Sequence, residues 1–203
     1  MNLNTVKFLW HNGGMTTYHH GDLQQSLVSQ ASQEIALGGS QSISLRHVAS
    51  EVGVSASAAY HHFADKQALL DAVAHDVIER LGIAMGQALA RIPGDDNSSA
   101  IARFEALGQV YLTFAQENPN LFLHAFGPNC THDQPGDSVA FDELVAVLDD
   151  LDSRGLVRPG IRVGLENVVW SSVHGLSMLT LTGLVDSNSH QEYLSSIRRL
   201  VLT

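Results

Sequence analysis

Residues Ser44–Phe63 read SLRHVASEVGVSASAAYHHF, and Gly53 divides them into two short segments with helical spacing. Ser44 and Ser55 stand where an N-cap is expected, because a serine side chain accepts a hydrogen bond from a free backbone N–H. Gly53 permits the positive φ angle of a tight turn. Ala49 is small enough for a second helix to cross closely over it. The stretch therefore predicts a helix-turn-helix.

The second helix of this motif has an inner and an outer face. Val54, Ala59 and Phe63 are predicted to face the core, which leaves the opposite face for the major groove of DNA. The first backbone N–H groups of the helix favour a phosphate. Lys66 is placed to hold a neighbouring phosphate. Arg46 on the first helix reaches a guanine edge, contacts a phosphate, or remains a free surface charge.

Helical periodicity continues on both sides of the motif. Apolar residues recur every three or four positions before it, where Gly38-Gly39 ends a helix, and after it, where Asp65 begins a long one. Only Leu156–Val157 indicates extended structure. Further helices are predicted at about 98–117, 120–126, 138–153, 161–184 and 189–202. The sequence therefore predicts an all-α fold.

Composition excludes several classes of protein. The chain has 203 residues with 44% hydrophobic and 16% charged residues, which is typical of a globular protein. The single cysteine excludes an internal disulfide and a cysteine-based zinc site, so a reducing, cytoplasmic location is expected. No metal, cofactor or membrane segment is predicted. The longest uncharged run, 167–185, is too polar for a bilayer core.

The two parts of the chain differ in net charge. The formal net charge is −10, and most of the acidic excess follows residue 92. The chain as a whole therefore lacks the positive charge needed for nonspecific binding to nucleic acid, although a small local surface can still bind DNA. Acidic repulsion is expected to keep DNA away from the second part.

The second part has the residues for a ligand site and a dimer interface. A concave apolar site is predicted from mostly aromatic side chains: Phe104, Leu107, Tyr111, Phe114, Phe122, Phe126, Trp170 and His174. Trp170 and His174 are four residues apart on one helix face, and they either pack in the core or border this site. The helices 161–184 and 189–202 are apolar enough to pack against a second copy, giving a two-fold homodimer.

Several motifs together resemble those of the TetR/AcrR family of transcriptional regulators. The resemblance rests on Ser44-Leu45-Arg46-His47-Val48-Ala49, Gly53-Val54-Ser55, Ala59-Tyr60-His61-His62-Phe63, Asp65-Lys66 and Leu69-Leu70. In addition, Trp170, His174 and Gly175 are similar to the Trp-His-Gly signature of one C-terminal subgroup. The resemblance implies that Tyr60 meets a phosphate, that His61 faces bases or sugars, and that Lys66 binds phosphate.

The resemblance implies a sequence-specific regulator, most commonly a repressor, that leaves a pseudo-palindromic operator when a small apolar effector binds. Residues 1–15 are then a disordered leader, 16–66 the DNA-binding domain, and 67–203 the ligand-binding and dimerisation domain. The predicted DNA contacts are Ser44, Arg46, Ser55, Ala56, Ser57, Tyr60, His61, His62 and Lys66. Two alternatives are a protein–protein adaptor that has lost DNA binding and an enzyme using His174 or Cys130, although no catalytic residue set is readable.

Overall fold

The computed structural model describes residues 20–127 and 138–203, so the predicted leader and Cys130 lie outside the described residues. The prediction of an all-α fold is confirmed for the described part of the chain. Its helices are α1 (His20–Gly38), α2 (Leu45–Val52), α3 (Ala56–His62), α4 (Lys66–Ala90), α5 (Asn97–Glu117), α6 (Pro119–Ala125), α7 (Val139–Ser153), α8 (Leu165–Leu181) and α9 (His190–Val201). None of the helices in these ranges has both the length and the apolar character needed to cross a membrane.

Helices α1 to α3 pack together at the start of α4. Gly53 has a φ of +82° and sits between α2 and α3, as the turn requires. Ser55 and Asp65 cap α3 and α4, because their side chains accept hydrogen bonds from backbone N–H groups three residues later. The prediction for Ser44 is wrong in one respect. It occupies the N-cap position of α2, but its hydroxyl makes no capping hydrogen bond.

Helix α4 runs unbroken from the N-terminal helices into the second part of the chain, where it packs against α5, α6 and α7. Its contact with α7 is close at Gly82. A Cβ atom added there would lie 2.9 Å from Val139 Cβ and 3.0 Å from the backbone nitrogen of Ala140. The absence of a side chain at Gly82 therefore lets the start of α7 approach α4.

The last two helices are shorter than predicted. Helix α8 begins at Leu165 because Gly164, with a φ of +74°, interrupts helical geometry just before it. Helix α9 follows a short 3-10 turn at Ser187–Ser189. Leu156–Val157 are predicted to be extended, and Val157 forms an isolated antiparallel β-bridge with Leu202. This bridge holds the residue that follows α9 against the segment between α7 and α8.

Candidate nucleic-acid interface and ligand cavity

Helix α3 separates buried from exposed side chains sharply. Ala59 and Phe63 are buried against the other N-terminal helices. Ser57 and His61 are exposed, and Tyr60 keeps 44% of its surface in contact with solvent. No other described residue covers the outer face of α3, which therefore directs a hydroxyl, a phenol and an imidazole outward.

The rest of the predicted DNA surface surrounds this face. Ser44, Arg46 and Ser55 are exposed, while Ala56 and His62 are half-buried. The His62 ring meets the His61 ring edge to face at 5.7 Å between centroids. These two side chains therefore occupy one end of the exposed surface.

Lys66 is held in place by the N-terminal helices. Its Nζ donates a hydrogen bond to the backbone carbonyl of Gln41 at 3.1 Å. An ammonium group has three N–H donors, so this bond positions the charge while donors remain for a phosphate. The sequence pattern gave no indication of the Gln41 contact, because it joins residues on separate elements.

An apolar cavity of about 490 Å³, counting its open mouth, lies among α4, α5, α7, α8 and α9. Four of the predicted ligand-site residues lie in its wall: Phe104, Leu107, Tyr111 and Trp170. The remaining wall consists of Met85, Glu105, Gly108, Leu144, Val169, Val173, Leu194 and Ile197. Its wall is apolar apart from Glu105, which is the character expected of a site for a mostly apolar ligand.

The other four predicted ligand-site residues do not line this cavity. Phe114 is buried in the core. Phe122, Phe126 and His174 instead form an aromatic cluster with the wall residue Tyr111. Their place in the ligand site stays a prediction, because helical spacing shows that a side chain is apolar but not which neighbouring helix it faces.

The aromatic cluster contains one polar link. The Tyr111 hydroxyl lies 3.0 Å from Nδ1 of His174. Burial raises the pKa of Tyr111 and lowers the pKa of His174. Both groups are therefore held neutral, and the phenol and the imidazole share one hydrogen bond.

Helix α6 joins the cluster to the N-terminal helices. Phe122 packs in the aromatic cluster, and two other α6 side chains form hydrogen bonds with helices on the far side. Nε2 of His124 lies 2.9 Å from the carbonyl oxygen of Leu70 on α4, and Nδ2 of Asn120 donates to the carbonyl of Ala36 on α1 at 2.9 Å. Neither contact is predictable from the sequence, since an isolated polar residue on a short helix has no distinguishing spacing.

Helix α8 has an outer face that no other part of the described chain covers. Val168 is 62% exposed, and Ser171, Ser172 and Leu179 are also exposed. A Cβ atom added at Gly175 would have no neighbour within 4 Å. This face, defined by those five residues, is flat and weakly polar.

The exposed apolar surface of α8 and α9 is narrower than the apolar composition of these two helices suggested. Several of their apolar residues turn inward: Val169, Val173 and Leu176 are buried, Leu194 and Ile197 line the cavity, and Val201 is buried. They fill the protomer's own core because α8 and α9 pack over α5. On α9, Tyr193 and Leu200 remain exposed.

The described residues contain no group of three or more histidine, cysteine, aspartate or glutamate side chains placed to hold a metal ion. No curated protein matches the chain.

Solved structures share the fold. A protein of unknown function from Rhodococcus sp. RHA1 is 28% identical, with 93% of this chain and 100% of that chain covered and a TM-score of 0.72. RolR in complex with resorcinol is 17% identical, with 90% and 88% covered and a TM-score of 0.66. A putative TetR family transcriptional regulator from Vibrio parahaemolyticus is 19% identical, with 88% and 98% covered and a TM-score of 0.62.

Two family models match separate parts of the chain. The model of bacterial regulatory proteins of the tetR family matches residues 27–73, which include α2 and α3. The model of the tetracyclin repressor-like C-terminal domain matches residues 104–201, which include most of the cavity wall. Members of this family are transcription regulators and not enzymes. The chain therefore belongs to the tetR family of transcriptional regulators.

Proposed function

We propose that the protein is a homodimeric repressor that binds a pseudo-palindromic DNA operator through α3 and leaves it when a small, largely apolar effector enters the cavity. The observation that carries this proposal is the outer face of α3, which is exposed while its inner face is buried. In this proposal residues 16–66 form the DNA-binding domain and residues 67–203 the ligand-binding and dimerisation domain.

The DNA contacts divide into two kinds. Ser57 and His61 enter the major groove, and Arg46 approaches it from α2. Tyr60 and Lys66 contact phosphates, which position the helix on the duplex without reading its sequence. The start of α3 adds backbone N–H groups that favour a phosphate.

Dimerisation supplies the second half of the contact surface. We place the two-fold axis at the outer face of α8, where Gly175 and Ser172 allow close approach of an identical helix. Val168 and Leu179 are the apolar residues that would leave water on pairing. Two copies of α3 then meet successive turns of the major groove, which requires a pseudo-palindrome.

Effector binding acts through helices that touch both parts of the chain. Met85 of α4 lies in the cavity wall, and Lys66 at the other end of α4 lies beside the DNA surface. Helix α6 adds a second connection through Asn120 and His124. An effector that favours one position of these helices shifts the distance between the two DNA-binding surfaces and so lowers operator affinity.

The test begins with selection of bound fragments from genomic DNA, followed by gel-shift titration at several salt concentrations. Replacing both Tyr60 and Lys66 by alanine is expected to weaken binding to all DNA and to reduce the salt dependence. Arg91→Ala is the matched control, because Arg91 is an exposed cation at the opposite end of α4.

Normal operator binding by the double variant would overturn the assigned contacts. Failure of the folded wild-type protein to select any DNA would instead favour the adaptor function.

A further inference from the structure

A second cavity lies beside the apolar one, at the end of α9. It measures about 870 Å³ counting its open side and is lined by Ile101, Leu156, Arg158, Ser195, Arg198, Arg199, Leu202 and Thr203. Three of these residues are arginines, although the second part of the chain is strongly acidic. We call this cavity the arginine groove.

Two of the three arginines have no acidic partner among the residues of the described ranges. Arg158 directs Nε and Nη2 at the carbonyl oxygen of Arg199, at 3.2 Å and 2.8 Å. Arg199 donates from Nη2 to Oγ of Ser196 at 2.9 Å. A guanidinium has five N–H donors, so both side chains keep donors and an uncompensated charge. By contrast, Arg103 and Arg162 form ion pairs.

One ion pair, between Arg198 and Glu105, links the arginine groove to the apolar cavity. The Arg198 side chain lines the arginine groove, and its Nη1 lies 3.0 Å from Oε1 of Glu105, which lines the apolar cavity. The two side chains are 47% and 49% exposed, so the pair stands at the surface where the cavities meet. An ion pair this exposed contributes little stability and is easily exchanged.

Among the described residues, the wall of the apolar cavity has no cationic side chain, and its polar side-chain groups besides the Tyr111 hydroxyl are the Glu105 carboxylate and the indole N–H of Trp170. Tyr111 directs its hydroxyl at His174, and the remaining wall is hydrocarbon or aromatic apart from Glu105. A ligand that fills the apolar cavity and projects from it at Glu105 therefore has its polar end beside Arg198 and the arginine groove.

We propose that the effector is an amphipathic carboxylate, whose apolar body occupies the cavity and whose carboxylate replaces Glu105 on Arg198. This inference rests on the proposed function in one respect, namely that the apolar cavity is the effector site. Carboxylate and guanidinium pair in a bidentate geometry, which gives specificity as well as attraction. Arg158 and Arg199 add attraction for an anion and oppose a cation, and a neutral molecule gains nothing from them.

Three probes with the same alkyl chain test the charge requirement: octanoate, octanol and octylammonium. Binding is measured by calorimetry on the full chain. We expect octanoate to bind at least about tenfold more tightly than octanol, and octylammonium to bind most weakly. Equal or tighter binding of octanol or octylammonium would overturn the inference.

Three variants test the position of the carboxylate. Arg198→Gln is expected to reduce octanoate affinity about tenfold or more and to leave octanol affinity unchanged. Glu105→Gln removes the competing carboxylate and is expected to strengthen octanoate binding. Arg91→Gln is the control for the loss of one exposed arginine elsewhere. An unchanged octanoate affinity in the Arg198 variant, or an equal loss for octanol, would contradict the inference.

Operator binding is measured separately on the same samples. Octanoate that binds through Arg198 but leaves operator affinity unchanged supports this inference and contradicts the proposed release of DNA. Protein that binds its operator but takes up no octanoate overturns this inference alone.

Discussion

The hydroxyl of Tyr111 on α5 and Nδ1 of His174 on α8 share a hydrogen bond of 3.0 Å, directly behind the cavity wall. Tyr111 also meets the Trp170 ring edge to face at 5.0 Å between centroids. One side chain therefore contributes to the cavity surface and holds the ring of a half-buried histidine. The bond joins two helices that both border the cavity, so its loss affects stability and ligand binding together.

Replacing Tyr111 by phenylalanine keeps the ring and removes the hydroxyl. The free energy of unfolding is expected to fall by about 1 kcal/mol, because Nδ1 of His174 loses its hydrogen-bond partner in a partly buried site. Urea unfolding of the two proteins measures the difference. Tyr193→Phe is the control, since Tyr193 is exposed. Equal stability of the Tyr111 variant and the wild type would show that the bond contributes nothing.

Stability is expected to fall as the pH falls below about 6.5, the ordinary pKa of histidine. Burial lowers the pKa of His174, and burial also lowers that of His190 although Asp186 opposes the shift. Below 6.5 the unfolded chain takes up protons that the folded chain resists, so acid favours unfolding until the lowered pKa values are passed.

The variant His174→Gln isolates one of these contributions. Its unfolding free energy is expected to depend less on pH than that of the wild type across this window. His75→Gln, at an exposed position, serves as the control. A His174 variant with the wild-type pH profile would contradict the assignment.

Replacing Gly82 by alanine is expected to destabilise the fold. Alanine is the better helix former by about 1 kcal/mol, but its Cβ would lie 2.9 Å from Val139 Cβ and 3.0 Å from the backbone of Ala140. Displacing a packed helix costs about 1–3 kcal/mol, so the net change is a loss. Thermal unfolding measures it. A higher melting temperature for this variant would show that α7 yields without cost.

Placing a charge on the outer face of α8 is expected to separate the dimer. Ser172→Glu brings two like charges together at the proposed two-fold axis, in a surface that loses water on pairing. Sedimentation velocity over a range of concentrations measures the mass. Gln116→Glu adds the same charge at an exposed position on α5. A Ser172 variant that stays dimeric would place the interface elsewhere.

The helix-turn-helix was predictable from the sequence because its turn and caps depend on residues that are close together in the chain. The positive φ of Gly53 and the caps at Ser55 and Asp65 depend on residues within one turn, so the sequence contains the information. Ser44 shows the limit even here, because its cap position is occupied without the expected hydrogen bond.

The ligand site was less predictable because it depends on which helices pack together. Phe122 and Val173 both lie on apolar helical stripes, and only the packing shows that Val173 lines the cavity while Phe122 lies behind Tyr111. The arginine groove brings Arg158 against Arg199, residues 41 positions apart. No sequence pattern of period 3.6 encodes such a contact.

The unbroken course of α4 has a mechanical consequence. Met85 and Lys66 are separated by about 28 Å of continuous helix, at 1.5 Å per residue. Helix α7 packs closely against α4 at Gly82, near the Met85 end. Between Met85 and Lys66, α4 also packs against α1, α5 and α6, and its first residue is hydrogen-bonded to Gln41. In the proposed function, a shift of α4 at Met85 therefore reaches Lys66 only if these neighbouring helices move with it, so the transmitting unit is the packed group of helices and not α4 alone.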